Sequence, residues 1–488
     1  MDRDELLRCL PSNRELFYGG RWHSPISGLY EQTIDPATGA SLGDVAEGGT
    51  SDVAAAVSAA HAGFLVWAKL KPSERGSIMR EAASILRRHA EEFALIDALD
   101  TGNPVAQMIA DAHIAAASID YFAGLAGELK GQTIPLGNGN LNYTLREPLG
   151  VVARIVAYNH PLMFAGTKIG APLAAGNSLI IKAAAQAPLS ALRLAELIGG
   201  LFPDGVLNVV TGGVECGRAL AEHTGIAAVS LIGSIPTGRA VMRSASETLK
   251  PVILELGGKN ALIAYPDADC DAVADGAVRG MNFTWAGQSC GSTSRLFLHS
   301  DIHDQVLEKI VRLTRDRHRP GLPTDHATTM GPLVSKAQHD KVLEFIAKGK
   351  EQGARLVTGG EVPNDPALAS GWFVEPTVFA DVTSQMAIAR EEIFGPVLSV
   401  IRWSDENTLF EQVNELDYGL TAAIFTRDLN TAHLAAQRVQ AGYVWINNVS
   451  EHFPGAPFGG YKQSGLGREE SLEEMYEFSQ LKNVNIKF

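Results

Sequence analysis

Apolar residues recur at Val53, Val57, Ala60 and Phe64, a helical spacing that predicts a helix with one packed face. Pro72, whose fixed φ suits a first helical turn, opens a second helix through Ile78, Ala82, Ile85 and His89. A third covers roughly 91 to 100 and ends at Gly102. From Tyr121 to Arg146 the pattern changes to Gly, Asn and Thr between short alternating apolar positions, which predicts strands projecting from the body. From Gly150 to Gly257, β-rich runs at 151–157, 178–181, 206–210, 227–232 and 252–256 alternate with helical stretches. Strands spaced by helices imply βαβ units and a parallel sheet. A second alternation runs from Ala261 to about Gly442, with strand candidates at 261–264, 294–299, 355–358 and 397–402, and the tail from Gln480 to Phe488 alternates again.

A chain of 488 residues, 45% hydrophobic and 20% charged, buries several cores and divides into more than one domain. A net charge of −14 without clustered Lys and Arg excludes a nucleic-acid partner. Cys9, Cys216, Cys270 and Cys290 lack the paired spacing of a zinc site or a disulfide framework. The opening Met1-Asp2-Arg3-Asp4 has no signal-peptide core, and no apolar run reaches membrane-spanning length, so the expectation is a cytoplasmic protein with no membrane partner and no metal.

Cys290 lies in Gly287-Gln288-Ser289-Cys290-Gly291, where small neighbours let a loop approach a ligand and set the Cys amide beside its own sulfur. That suits an exposed nucleophile; a buried structural cysteine is the alternative. Glu255 ends the apolar run 252–256, before Gly257-Gly258-Lys259-Asn260. A carboxylate at the C-terminal edge of a sheet lies where α/β proteins bind ligands, and burial there raises its pKa toward the range useful for proton abstraction. Gly233-Ser234-Ile235-Pro236-Thr237-Gly238 follows a strand and opens a helix, so its N–H groups can face a pyrophosphate, although it is not the G-x-G-x-x-G fingerprint.

Together these segments resemble the aldehyde dehydrogenase superfamily, from about Tyr18 to the last strand. The resemblance is carried in order by Arg146-Glu147-Pro148-Leu149-Gly150 with Ala157-Tyr158-Asn159-His160-Pro161, Phe202-Pro203-Asp204-Gly205-Val206-Leu207-Asn208, the 233–238 turn, 254–259 and 287–290. It continues through Glu391-Glu392-Ile393-Phe394-Gly395-Pro396, Asn447 and the segment 457–465. It implies an α/β fold with a Rossmann-like NAD(P)-binding domain (1–124 and 149–256), a second α/β catalytic domain (257–465), and a small β oligomerisation arm with a bridging tail (125–148 and 466–488).

The same resemblance implies an aldehyde substrate, NAD as cofactor and a homodimer or homotetramer. The Cys290 thiolate attacks the aldehyde, Asn159 and the Cys290 N–H stabilise the oxyanion, hydride passes to the nicotinamide, and water activated by Glu255 hydrolyses the thioester. Lys168 and Glu469 match inner-site positions associated with proton movement, or form an ordinary ion pair. Ile155, Val156, Ala157, Tyr158, Gly213, Gly217, Gly233, Ser234, Gly238, Leu256 and Gly257 match cofactor positions. Lys182 matches the residue that binds the adenosine ribose, and Glu392 and Phe394 those that hold the nicotinamide end.

Two departures matter. Many NAD-specific members carry Glu three residues after the lysine; Ala185 stands here, which admits NADP. The usual Trp-Asn-Phe is Tyr158-Asn159-His160, and His160 either recognises a polar group on the substrate or hydrogen-bonds within the wall. Phe164, Phe283, Trp285, His452, Phe453 and Phe458 are the candidates for an apolar mouth, which favours aromatic or medium-chain aldehydes. Acylating, CoA-dependent relatives commonly lack the general-base Glu, so Glu255 speaks for hydrolysis, and the intact Asn159, Glu255 and Cys290 speak against a non-catalytic binding protein.

Overall fold

The computed structural model describes residues 3–488. In its first large sheet the parallel strands Val151–Ile155, Ser178–Lys182, Leu207–Val210, Ala228–Gly233 and Val252–Leu256 alternate with helices, as the sequence pattern predicts. Val151–Ile155 lies between Ser178–Lys182 and Ala228–Gly233. The chain therefore runs outward on one side to Leu207–Val210 and then crosses to the other. Such a switch point opens a crevice at the C-terminal ends of the strands, where α/β sheets bind ligands. Both faces are covered, so Val152, Ile180, Val229 and Ile253 are buried and the strands read as nearly continuous Val/Ile/Leu runs. Antiparallel strands flank the parallel ones: Leu16–Tyr18 beside Leu207–Val210, with Arg21–His23 outside it at the edge, and Gly465–Leu466 beside Val252–Leu256, with Gly465 opposite Glu255.

The second sheet runs Arg355–Thr358, Thr377–Ala380, Val397–Trp403, Arg295–His299, Ala261–Ala264, Thr421–Phe425, Tyr443–Ile446. Only its first pair is antiparallel. Three of these strands, Thr377–Ala380, Thr421–Phe425 and Tyr443–Ile446, are not predicted by the sequence pattern.

The projecting strands are Asn140–Pro148 and Thr133–Ile134, joined antiparallel by the tail Ser479–Lys487. They begin later than the sequence pattern suggests. Tyr121 is still inside a helix, Val105–Leu125, which the pattern does not reveal. That helix packs against Pro161–Ala175 through small residues: a Cβ added at Gly166 would stand 2.7 Å from the Cβ of Ala115. The earlier helices are Thr50–Trp67, Pro72–Arg88 and Ala90–Thr101, the last stopped by Gly102 at φ 83°. Among the described residues no helix is long and apolar enough to cross a membrane, and no cluster of side chains could hold a metal ion.

Candidate active site

The strand ends of the first sheet gather the residues matched to cofactor positions. Ile155 ends the central strand, Val156 N–H donates to the Lys182 carbonyl (3.1 Å), and Ala157, Tyr158 and Asn159 follow in the connecting loop. Lys182 ends the neighbouring strand buried; desolvation pushes its amine down, and it makes no hydrogen bond among the described residues. Gly213 caps the helix Val214–Glu222, and Gly217 lies within its first turns with open space where a Cβ would be. Ser234 caps the helix Ile235–Ser246, accepting from Thr237 N–H at 3.4 Å, while Gly238 leaves room for Leu256. An unpaired cation at one strand end and a helix N-terminus at another fit a dinucleotide. Ala185 is exposed and uncharged, as expected. A carboxylate nevertheless reaches this edge: Glu47 accepts from Gly213 N–H at 2.7 Å and acts electrostatically on Lys182. Sequence reasoning misses it, because Glu47 lies far from Lys182 along the chain.

From the opposite side the second sheet presents the loops that precede its strands. Glu392 and Phe394 come before Val397–Trp403, and Cys290 before Arg295–His299. Glu392 is half-buried; desolvation raises its pKa, and its Oε1 accepts from Gly258 N–H at 2.9 Å. A Cβ at Gly257 would overlap this carboxylate, so only glycine allows the approach. Phe394 stands edge-on to Tyr158, ring centroids 6.0 Å apart. The Cys290 loop is pinned twice. Asn260 Nδ2 donates to the Cys290 carbonyl at 2.6 Å and to that of Ser292 at 3.0 Å. Gly287, at φ 67°, lies so close to Gly395 that a side chain would collide with its carbonyl.

The Cys290 thiol faces the Glu255 carboxyl. Burial, then the neighbouring Glu255, pushes the thiol well above its ordinary range. Burial raises Glu255 to about 8, with the charge of Glu469 adding to the shift, and its Oε1 has no hydrogen-bond partner. At neutral pH both groups therefore mostly hold their protons, and it is the ionised fraction of Glu255, which grows toward pH 8, that can take the proton of the thiol beside it. Asn159 is buried beside them; Asn103 Nδ2 donates to its carbonyl at 2.8 Å, and its side-chain amide makes no hydrogen bond among the described residues.

Lys168 and Glu469 do meet, at 2.7 Å, inside a larger buried network. Arg154 donates to Glu469 at 3.2 Å and to Glu474 at 2.9 Å. Burial pushes the Glu469 carboxyl up, but Lys168 and Arg154 outweigh it and hold Glu469 below its ordinary value. Arg154 and Glu474 are not among the residues that the sequence singles out.

Asn159, Lys168, Glu255, Cys290 and Glu469 open onto a cavity of about 340 Å³. Phe164, Trp285, His452 and Phe458 line it, as expected. Phe283 does not: it is fully buried in the second core, its ring tilted against His318 with centroids 5.5 Å apart, and Phe453 is exposed outside the cavity. Their places are taken by Tyr121, Ile114 and Trp445.

A doubly covered parallel sheet, a switch-point crevice, and a thiol against a carboxyl at its mouth define the class, an α/β oxidoreductase with cysteine chemistry. The chain belongs to the aldehyde dehydrogenase family, whose model matches residues 22–484. It is similar to the aldehyde dehydrogenase tropH of Talaromyces stipitatus, 54% identical over 98% of this chain and 94% of that protein. A betaine aldehyde dehydrogenase of Brucella melitensis is 44% identical over 96% of each. Among solved structures, the indole-3-acetaldehyde dehydrogenase AldA of P. syringae, in complex with NAD+ and IAA, is 37% identical and superposes with a TM-score of 0.96 over 99% of both chains. The protein is an NAD(P)-dependent aldehyde dehydrogenase with the fold of that family.

Proposed function

We propose that this enzyme oxidises an aromatic or medium-chain aldehyde to its carboxylic acid through a thioester on Cys290, which Glu255 then helps water to hydrolyse. The observation that carries this reading is the buried Glu255 carboxyl, with a free Oε1, against the Cys290 thiol. Cys290 gives its proton to the carboxylate and attacks the aldehyde, and Asn159 and the Cys290 N–H stabilise the resulting oxyanion. A bound nicotinamide dinucleotide supplies the hydride acceptor. Once Glu255 has released the thiol proton to solvent through the cavity, it takes one from the water that cleaves the thioester. Lys168 and Glu469 keep a fixed charge pair beside it.

Ile155 to Tyr158, Gly213, Gly217, Gly233, Ser234, Gly238, Leu256 and Gly257 shape the cofactor crevice, with Lys182 at the adenosine ribose and Glu392 and Phe394 at the nicotinamide end. Glu47 places one carboxylate near Lys182, so NAD is the main cofactor; the missing charge at Ala185 admits NADP. The aromatic wall of Phe164, Trp285 and Phe458 favours flat or long apolar aldehydes. The three-stranded sheet exposes Leu141, Leu145 and Ile486 on one face and Ile134 and Leu481 on the other, apolar positions suited to a second copy in a dimer or tetramer. A reducing compartment, the cytoplasm, keeps the thiol reactive.

The deciding experiment follows NAD(P)H absorbance with benzaldehyde, hexanal and betaine aldehyde, with either cofactor, with and without CoA. Acid formation from benzaldehyde or hexanal without CoA, faster with NAD, is expected. Turnover confined to betaine aldehyde overturns the substrate class, and a requirement for CoA overturns hydrolysis.

A further inference from the structure

One side chain sets the cavity wall apart from an ordinary apolar one. His160 follows Asn159 and caps the helix Pro161–Ala175. Its ring is tilted against Trp285, centroids 5.3 Å apart, and edge-on to Phe164 at 5.7 Å. Nδ1 lies 2.7 Å from Oδ2 of Asp111, a carboxylate buried on the helix Val105–Leu125. Nδ1–H therefore donates to Asp111, which fixes the tautomer and the ring plane. Nε2 makes no protein hydrogen bond among the described residues, although the ring lines the cavity. In the neutral ring that nitrogen is an acceptor.

A wall that only had to be apolar would not carry this pair. Asp111 is buried near a second carboxyl, Asp97, and each such group costs stability unless it is satisfied. The arrangement instead presents one oriented acceptor among apolar neighbours. We infer that His160, positioned by Asp111, accepts a hydrogen bond from a hydroxyl on the substrate, and that the substrate class is a hydroxylated aromatic aldehyde. The inference rests on the aromatic reading above and narrows it.

The experiment compares kcat/KM for benzaldehyde with that for its 2-, 3- and 4-hydroxy derivatives, using the NAD-loaded enzyme and its His160→Phe, Asp111→Asn and Asp111→Glu variants. The wild type is expected to prefer one hydroxy isomer by at least about tenfold, since a site built to pair a hydroxyl rejects the analogue that lacks it. His160→Phe brings the ratio close to one, mainly through KM. Asp111→Asn lowers it partway and Asp111→Glu restores it, a pattern that loss of packing alone does not give. NAD binding followed by fluorescence reports folding, and His160→Leu takes over the comparison if His160→Phe does not fold. Equal use of benzaldehyde and every hydroxy isomer, or an unchanged ratio in His160→Phe, overturns the inference and leaves the aromatic reading standing. With 4-carboxybenzaldehyde added to the panel, a preference for it over every hydroxy isomer overturns the hydroxyl class. Turnover of hexanal with none of the aromatic aldehydes overturns the inference together with the aromatic half of the proposed substrate class, and leaves the medium-chain half standing.

Discussion

Two pairs of ionisable side chains, three of the four buried and Cys290 half-buried, stand next to each other and behave oppositely. Glu255 and Cys290 are both pushed up by burial and keep their protons, because neither has a cation within reach strong enough to offset desolvation. Glu469 is equally buried, yet Lys168 and Arg154 hold it ionised. Burial alone therefore does not decide the charge of a carboxyl; its partners do. The ionised network also raises Glu255 through the charge on Glu469, so the quiet pair tunes the reactive one.

The largest expected effect separates the two pairs outright. Cys290→Ala should lower aldehyde oxidation by more than about 10⁴-fold, since no neighbour can replace the covalent bond, while NAD still binds by fluorescence titration. Turnover near the wild-type rate in that variant would remove the thioester from the mechanism. Glu255→Gln keeps the shape and loses the base, so steady-state turnover should fall by about 10²–10⁴-fold. Because Glu255 also takes the thiol proton, a stopped-flow trace should show NADH rising more slowly than in the wild type toward one equivalent per site, with higher pH partly restoring the rate, before it stalls as thioester accumulates. Undiminished steady-state turnover would point to another base.

In the paired region the effect should be on stability. Lys168→Met leaves Glu469 with Arg154 alone and should cost about 3–5 kcal/mol, read from chemical unfolding; a loss below about 1 kcal/mol would mean that the network relaxes around the gap. The next test joins the regions. With Glu255 at about 8, its carboxylate fraction grows as pH rises from 7 to 9, so turnover limited by deacylation should climb over that window and then level off. Glu469→Gln removes a negative neighbour and should move the midpoint down by about one pH unit or less; a midpoint that stays or rises breaks the coupling.

The smallest effect is again one of linkage. A carboxyl whose folded pKa is raised lends stability that is complete below its unfolded value near 4.5 and is lost as pH rises through about 8. Glu255→Gln should therefore flatten the fall in Tm between pH 7 and 9, by about 1–2 °C. Parallel Tm curves for the two proteins would contradict the raised pKa.

What is legible in the sequence follows the range of the interactions. Glu255, Cys290 and the glycines around them occupy contiguous motifs whose neighbours dictate the local backbone, so the order of residues alone makes them recognisable. Asp111 is separated from His160 by 49 positions, and Glu474 from Arg154 by 320. Those pairs exist only after helices pack, and no local pattern announces them. The helix Val105–Leu125 escapes the pattern for a related reason: its buried face mixes alanines and Asp111 with Met108, Ile119 and Phe122, while Ile114 and Ala117 stand on the exposed face, so the two faces contrast little. Thr421–Phe425 is buried along its whole length, so it has no alternation to read. Phe283 shows the converse error, since an aromatic next to a motif in sequence points into the core instead of the cavity.

The contact between Gly287 and Gly395 carries a mechanical consequence. Because no side chain separates these two backbones, the loop bearing Cys290 and the loop bearing Glu392 and Phe394 have no slack between them. Each is also tied to the segment 258–260, through the Gly258 N–H to Glu392 and through Asn260 to the Cys290 carbonyl. The three stretches form one lever: a ligand that shifts residues 392–396 shifts the sulfur with them, and the position of the nucleophile registers what lies in the neighbouring crevice.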